Sequence, residues 1–348
     1  MADMPSPAGV AKQSPPQAVI LEMWSGYVVS RALHVVAELA IADHLADRPQ
    51  TAAEVARATG ANEDALHRVL QMLTSRGVFA ERESGRFGLT PISECLRSGS
   101  VGSVRDTIRM YGEMHWRAVG NLLHSVMTGE PAFDEVAGAP VWEYLASHPD
   151  DGERFARGMA NVSSFENRVI ARAYDFSPFR VVVDLGGGRG GFIAEVLRAN
   201  PGVQGVLYDA PHVVSRPTDL QDSEVANRCQ IVPGDFFESV PAGADVYILK
   251  RVLDGWDDDH ALRTLRTCRE AIPSHGRLLS IHALVPPTGP YSWKDVATLT
   301  MDMGMLVGGR GRERTEDEFR SLFRKVGFSL NRVIPTPSIL SIAEAVPA

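Results

Sequence analysis

The second half of the chain, after Pro178, alternates short apolar runs with segments of helical period. The runs are rich in β-branched and aromatic residues and read RVVVDL, VQGVLYD, RCQIVPGD, DVYILKRVL and GRLLSIHALV. Amphipathic segments such as GGFIAEVLRAN and DDDHALRTLRTCREAI lie between several of them. Strands that alternate with helices form a parallel sheet covered by helices. We therefore predict an α/β domain over residues 177–348, with its ligands at the carboxyl ends of the strands.

A glycine-rich segment, Asp184-Leu-Gly186-Gly-Gly188-Arg-Gly190-Gly191, follows the first run directly and precedes a helix. Glycines here let the backbone approach a ligand closely, because they carry no Cβ atom. They also satisfy the G-x-G-x-x-G pattern of dinucleotide sites. Asp184, however, would repel a pyrophosphate, which favours bare amides at a helix N-terminus. The segment therefore indicates a ligand with a cationic or amine-bearing group.

Further polar side chains follow the next three predicted strands. Asp209 ends the second strand, Asp235 and Phe236 follow the third, and Lys250 ends the fourth. A carboxylate at the end of the second strand typically accepts hydrogen bonds from ribose hydroxyls. Each acid alone could cap a helix or lie in a solvated turn. Acids at successive strand ends indicate instead one binding edge for a nucleoside-containing ligand.

The N-terminal part, residues 18–105, is predicted to consist of short helices followed by a hairpin. Thr51-Ala-Ala-Glu54 has the form of a capping box, in which the hydroxyl and the carboxylate each accept one backbone N–H. Asn62 opens a further helix, and Ser84-Gly85 separates two strand-like runs as a hairpin turn does. This order predicts a winged helix. Residues 106–176 are again helical and rich in Met and aromatic side chains.

The winged helix has two possible roles, DNA binding and dimerisation. The helix that would enter the groove offers only Arg68 and Arg76 as full cations. The long first helix carries Trp24 and Tyr27 among many apolar residues, which need burial against another surface. We therefore expect a second subunit to cover this helix in a homodimer. A winged-helix regulator that senses a ligand is the non-enzymatic alternative.

Composition excludes several classes of protein. Lys and Arg number 35 against 43 Asp and Glu, a net charge of −8 that argues against nucleic acid as a partner. No apolar run reaches the roughly 18 residues of a membrane span. The three cysteines lack CxxC spacing, and no His, Asp or Glu cluster has metal-ligand spacing, so we expect no disulfide framework and no metal. Residues 1–17 hold four prolines and no signal-peptide core, which predicts a disordered tail on a cytoplasmic protein.

Five segments resemble the successive motifs of class I S-adenosylmethionine-dependent O-methyltransferases: VVVDLGGGRGG, LYDAPHVV, PGDFFESVP, ILKRVLDGWDDDHALRTLRTCREAI and GGRGRERTEDEFRSLFRKVGF. The resemblance runs from about residue 18 to the end. It is strongest to the caffeate-type and bacterial natural-product group, which methylates aromatic hydroxyls. It implies a Rossmann-like catalytic domain, a homodimer formed through the N-terminal domain, and a helical roof over the acceptor pocket.

The resemblance also implies residue roles, with S-adenosyl-L-homocysteine as the product of the cofactor. The cofactor-binding set is Asp184, Gly186 and Gly188 for the methionine moiety, Asp209 for the ribose, Asp235 and Phe236 for the adenine, and Lys250 for the carboxylate. The side chains expected around the acceptor are Met110, Met114, His115, Met159, Trp256, Met301 and Met305. Methionine adapts to irregular shapes, although most such residues belong to ordinary cores.

The chain departs from the family at the catalytic base. The family has a histidine base in an L-H-D-W run, but this chain reads Leu253-Asp254-Gly255-Trp256. His282, in turn, occupies a position where the family has a glutamate that orients the base. This paired exchange suggests a swapped dyad, with His282 as base or proton relay, Asp254 orienting it, and Glu313 alongside.

Two other readings of the exchange stay open. Asp254 alone could be the base if burial raises its pKa. Alternatively, His282 is simply a buried histidine, and orientation of the reacting atoms supplies the catalysis. The sequence thus predicts an O-methyltransferase for a small aromatic acceptor. An orsellinate-type phenolic polyketide is the candidate that the resemblance suggests, either free or tethered to a carrier protein. Other methylation, decarboxylation or hydroxylation is the enzymatic alternative.

Overall fold

A computed structural model describes residues 15–100, 102–215, 220 and 224–348. Most of the predicted tail therefore lies outside the described residues, and its end at 16 and 17 begins the first helix. The chain divides into two compact units between Gly112 and Glu113. The sequence placed boundaries at 105 and 176 instead. The first boundary lies further along the chain than predicted, because Arg105 donates to the carbonyl of Ala37. This bond joins the helix that begins at Arg105 to the N-terminal unit.

The first unit is mostly helical with a small sheet. Its elements are α1 (Pro16–Glu38), α2 (Ile41–His44), β1 (Gln50–Thr51), α3 (Ala52–Thr59), α4 (Glu63–Ser75), β2 (Phe79–Arg82), β3 (Arg86–Leu89), α5 (Pro91–Glu94) and α6 (Arg105–Met110). Strands β2 and β3 form the predicted hairpin, and the unpredicted β1 pairs with β3. The order of helices and hairpin agrees with the predicted winged helix.

Local hydrogen bonds place the helix starts where the sequence predicts them. The Thr51 N–H donates to Glu54 Oε2 at 2.7 Å, and Thr51 Oγ1 accepts from the Glu54 N–H at 3.2 Å. Asn62 Oδ1 accepts from the Ala65 N–H at 3.0 Å. These caps satisfy backbone donors that a helix leaves unpaired at its N-terminus.

Helix α1 buries only its C-terminal part. Ala32, Val36 and Ala37 lie in the core of the unit. The preceding turns expose six large apolar side chains: Ile20, Leu21, Met23, Trp24, Tyr27 and Val28. A contiguous apolar surface of this kind marks an interaction site.

The second unit is an α/β domain preceded by helices. Its helices are α7 (Trp116–Gly120), α8 (Leu122–Thr128), α9 (Ala132–Ala137), α10 (Val141–Ser147), α11 (Pro149–Ala171), α12 (Gly191–Ala199), α13 (Pro211–Val214), α14 (Asp258–Ala271), α15 (Trp293–Gly308) and α16 (Glu316–Lys325). Its strands are β4 (Val181–Leu185), β5 (Gln204–Asp209), β6 (Cys229–Pro233), β7 (Val246–Lys250), β8 (Arg277–Ala283), β9 (Phe328–Pro335) and β10 (Leu340–Pro347).

These strands form a seven-stranded sheet in the order β6-β5-β4-β7-β8-β10-β9. Strands β4 to β8 are parallel, as predicted, whereas the unpredicted β9 and β10 add antiparallel pairings. The chain moves outward from β4 to β6 and then returns to β7 on the other side. The switch point between β4 and β7 is where an open α/β sheet binds its ligands.

Two apolar layers cover the faces of this sheet. One layer contains Phe176, Phe192, Ile193, Leu197 and Ile281, and the other contains Tyr247, Leu265, Phe319, Phe323 and Phe328. The first layer also includes Ile170 of α11, so the helices before the sheet belong to the same unit as the sheet. The predicted boundary at 176 therefore does not divide compact units. Within the described ranges, no helix has the length and apolar character needed to cross a membrane.

A close backbone approach at Gly311 predicts a stability effect. A Cβ atom here would overlap the carbonyl oxygen of Asp254 and lie 2.6 Å from the carbonyl carbon of Gly255. We expect Gly311→Ala to lower the free energy of unfolding by about 1–3 kcal/mol, because backbone must move. Urea denaturation measures this. Gly202→Ala, whose new Cβ meets nothing within 4 Å, is the control. Equal stability of the two variants would contradict the close approach.

Candidate functional site

Asp184 ends up buried at the switch point. It lies near the end of β4, and its residue is 1% exposed. Burial raises its pKa to about 7, while the charge of Lys250 opposes this shift. Its Oδ2 atom has no hydrogen-bond partner among the described residues. A buried carboxylate oxygen without a donor is costly, so this site suits a ligand that supplies a donor or a positive charge.

The glycine-rich loop wraps around this carboxylate. Gly186 and Gly188 have φ values of +66° and +58°, a region that favours glycine. A Cβ atom on Gly186 would also lie 2.7 Å from Val252 Cγ2. The Gly188 N–H donates to Asp209 Oδ2 at 2.8 Å, so the loop contacts the end of β5. The two predicted positions on neighbouring strands therefore lie together, as expected.

The other predicted nucleoside residues extend along the same edge. A Cβ atom on Gly186 would lie 3.7 Å from Phe236 Cε1, which places this ring beside the glycine loop. Asp235 Oδ1 accepts from the Phe237 N–H at 2.8 Å and so stabilises its own turn. Burial raises the pKa of Asp209, although two backbone N–H donors oppose this shift.

Lys250 supplies the cation on the β7 side of the switch point. Its Nζ donates to Ser163 Oγ on α11 at 3.0 Å. Burial, followed by the charge of Arg251, lowers the pKa of Lys250 to about 8. Sequence reasoning missed Ser163, because nothing distinguishes one serine within a long amphipathic helix.

These residues fit S-adenosylmethionine by the chemistry of their donors and acceptors. The Asp184 oxygen without a partner suits an ammonium or sulfonium charge. The Asp209 carboxylate suits paired ribose hydroxyls. The Lys250 ammonium suits a carboxylate. Gly186 and Gly188 leave the backbone accessible between them.

The proposed dyad is also brought together. His282 lies on β8, Asp254 lies in the turn Leu253–Gly255, and His282 Nδ1 is 3.4 Å from Asp254 Oδ1. Both residues are buried, and the imidazole stacks on Phe319 at 5.2 Å between ring centroids. In the described part of the chain, neither these two atoms nor His282 Nε2 has a hydrogen-bond partner. Such groups are available for proton transfer and for ligand contacts.

The acids of this cluster differ in protonation. Burial alone would raise the pKa of Asp254, but His282 and then Arg251 outweigh it and hold this pKa below its usual range. The net shift is therefore downward, opposite to the raised pKa that the reading of Asp254 as the sole base requires. Burial, followed by the negative charge of Asp254, instead raises the pKa of Glu313 to about 9. Glu313 is thus protonated near neutral pH, where Asp254 is ionised.

Arg251 is a further site residue that sequence reasoning missed. Its Nη2 atom lies 3.2 and 3.1 Å from the two carboxylate oxygens of Glu166 on α11. Its Nη1 atom contacts Met301 Sδ at 3.7 Å. The only available signal was its place beside Lys250 at a strand end, because the distant Glu166 partner is not evident from the sequence.

Several of the predicted pocket residues lie on α15 of the second unit or pack against it. His115 packs against α15 at two glycines, lying 3.8 and 3.6 Å from Cβ positions built on Gly304 and Gly308. Burial lowers the pKa of His115 to about 4, so the ring is neutral near physiological pH. Met301 and Met305 lie on this same helix and are partly buried.

The remaining predicted pocket residues are more dispersed. Trp256 stacks on Trp142 of α10, with 5.9 Å between ring centroids. Met159 lies on α11. Met114 packs against a small apolar cluster formed by Ala118, Ala132, Phe133 and Val307. Met110 belongs to the first unit, so its predicted place at the acceptor stays a prediction.

Two family models match most of this chain. The family described as the O-methyltransferase domain matches residues 119–329, and the O-methyltransferase dimerisation domain matches residues 21–99. A phenazine O-methyltransferase of Lysobacter antibioticus is 44% identical over 96% of this chain and 97% of its own length. A 3-amino-4-hydroxybenzoate 4-O-methyltransferase of Streptomyces cremeus is 39% identical over 94% of this chain and 90% of its own length.

A solved structure extends the comparison to the cofactor. An O-methyltransferase from neocarzinostatin biosynthesis, crystallised with S-adenosylmethionine and 2-hydroxy-5-methyl naphthoic acid, superposes with a TM-score of 0.79. It is 34% identical, and the match covers 92% of this chain and 96% of that one. The chain therefore belongs to the S-adenosylmethionine-dependent O-methyltransferases that carry an N-terminal O-methyltransferase dimerisation domain.

Proposed function

We propose that this enzyme methylates a hydroxyl of a small aromatic acid in natural-product biosynthesis. The observation that carries the proposal is the buried Asp254–His282 pair beside the cofactor residues at the switch point. The aminohydroxybenzoate and naphthoic acid in the names of the relatives support an aromatic acid as acceptor. An orsellinate-type acceptor is one member of this class, and tethering to a carrier protein stays a prediction.

We assign the cofactor to Asp184, Gly186, Gly188, Asp209, Asp235, Phe236 and Lys250. When bound, S-adenosylmethionine supplies an electrophilic methyl group. The protein orients this group through the Asp184 carboxylate and the Lys250 ammonium, which lie on the two strands of the switch point. Asp184 is buried and Lys250 is partly buried, so their contacts with charged ligand groups are less screened by water than at an exposed site.

We assign proton removal from the acceptor hydroxyl to the dyad, with His282 as base or relay. Asp254 is a weak base on its own, because its pKa is held low. The imidazole of His282, in contrast, has two ring nitrogens, one of which can accept a proton while the other carries its hydrogen. The ionised Asp254, whose Oδ1 lies 3.4 Å from His282 Nδ1, stabilises the imidazolium that forms. Protonated Glu313 adds no negative charge to this cluster and can donate a hydrogen bond.

The proposed activity is tested with labelled S-adenosylmethionine and a panel of acceptors. The panel contains phenols, catechols and hydroxylated aromatic acids, the acids both free and as pantetheine thioesters. We expect methyl transfer to a hydroxyl of an aromatic acid, with the position read by NMR. Transfer to nitrogen or carbon, or decarboxylation of the acids without transfer, would contradict the proposal.

The dyad predicts a specific change in pH dependence. We expect His282→Gln and Asp254→Asn each to lower kcat by about 10²–10⁴-fold, because the base is lost in the first variant and loses its supporting charge in the second. The first variant should also lose the fall in rate on acidification, and the second should shift it. Single-turnover rates between pH 5.5 and 9 measure this. His275→Gln, an exposed histidine that is 69% accessible, is the matched control. Unchanged pH profiles in both dyad variants would favour catalysis by orientation alone.

We also propose that the exposed part of α1 forms a homodimer interface. The match to the dimerisation domain covers this helix, and its six large apolar side chains need a cover. Charge introduced into such a surface is costly to bury.

Trp24→Glu is therefore expected to convert a dimer into a monomer. Size-exclusion chromatography with light scattering gives the mass of each species. Ile92→Glu places the same charge at a 40% exposed apolar position on α5 and is expected to remain dimeric. A monomeric wild type, or a Trp24→Glu variant that stays dimeric, would exclude this interface.

A further inference from the structure

The guanidinium of Arg251 is a buried cation in the second unit. Its side chain is 9% exposed, and the residue follows Lys250 directly and precedes Asp254 by three positions. Its φ is +54°, a left-handed conformation that is uncommon outside glycine. The Arg251 N–H donates to the Ile281 carbonyl at 3.1 Å and holds this conformation. Strained backbone of this kind concentrates at functional sites.

The hydrogen bonds of Arg251 leave part of its donor capacity unused. A guanidinium has five N–H donors. Nη2 contacts Glu166, whose side chain is 1% exposed, whereas Nη1 contacts the sulfur of Met301, a weak acceptor. Nε is buried and has no hydrogen-bond partner among the residues described. Two guanidinium nitrogens, Nη1 and Nε, thus have a weak acceptor or none among the residues described. This unused donor capacity suits an oxygen acceptor brought by a ligand, which would share Nη2 with Glu166 if it forms two parallel hydrogen bonds.

The surroundings of Arg251 define where this acceptor would lie. Met301 belongs to the partly buried set expected around the aromatic ring. The Arg251 N–H donates at 3.1 Å to the carbonyl of Ile281, the residue before His282, which ties residue 251 to the strand that carries the dyad histidine. The negative charges of Glu166 and Asp254 also act on the guanidinium. An oxygen bound here would thus be close to the hydroxyl that the dyad deprotonates.

We propose that Arg251 determines acceptor specificity by binding a carboxylate on the aromatic ring, next to the hydroxyl that is methylated. The planar guanidinium matches a carboxylate with two parallel hydrogen bonds, which a lysine ammonium cannot reproduce. Glu166 competes for the same guanidinium and limits how tightly the acid binds. This assignment rests on the proposed function, because it places the acceptor beside the dyad.

The test compares 3-hydroxy-2-naphthoate with 2-naphthol, which lacks only the carboxylate. Isothermal titration calorimetry gives the Kd of each probe for the full-length protein saturated with S-adenosylhomocysteine. We expect wild type to bind the acid more tightly than the naphthol. Arg251→Gln should weaken acid binding at least tenfold and leave the naphthol Kd within threefold. Arg251→Lys should recover little of the loss.

Glu166→Gln tests whether the Arg251–Glu166 ion pair has only a structural role or also affects binding of the acceptor carboxylate. Removal of the competing charge is expected to tighten acid binding several-fold, whereas a purely structural pair would lose affinity for both probes. Arg320→Gln, an exposed arginine on α16, is the matched control and should change neither Kd. Equal wild-type affinities for the two probes, or equal losses for both in Arg251→Gln, would overturn the assignment.

Binding and turnover distinguish this inference from the proposed function. If the protein binds the acid through Arg251 but transfers no methyl group to any acceptor, the proposed function is wrong and the carboxylate site stands. If the protein methylates naphthol and hydroxynaphthoate with the same kcat/KM, O-methyl transfer stands and the carboxylate site is wrong.

Discussion

The parallel pairing of β4 with β7 is the constraint on which the site depends. It brings Asp184 and Lys250, which are 66 positions apart in the chain, to one edge of the sheet, where Asp184 is buried and Lys250 is partly buried. Burial makes each charge expensive unless a partner compensates it. The second unit meets this requirement partly with its own groups, such as Ser163 and Glu166, and leaves specific atoms for ligands.

The same low-dielectric environment separates the roles of two acids in one cluster. Asp254 lies against His282 and within the field of Arg251, so it stays ionised. Glu313 has the negative charge of Asp254 nearby and retains its proton. Within one site, the ionised carboxylate can therefore accept hydrogen bonds while the protonated carboxyl group donates one.

The sequence predicts much of this arrangement because its signals are local. The glycine-rich loop, the acids at strand ends and the cap at Thr51 each depend on neighbours in the chain. The contacts it does not predict join distant segments. Arg251 and Glu166 are 85 positions apart, and the low pKa of Asp254 depends on β8. Side chains of this kind acquire a role only when tertiary packing selects their partner.

The exchange of residue types at 254 and 282 has a consequence for how the site can change. The family arrangement, a histidine at the first position and a glutamate at the second, becomes the present one only through two substitutions. Either substitution alone leaves a buried pair of like kind, two carboxyls beside Glu313 or two imidazoles. Neither intermediate pairs a carboxylate with an imidazole, as the family arrangement and the present one both do. On the mechanism we propose, engineering that alters residue 254 therefore has to alter residue 282 as well.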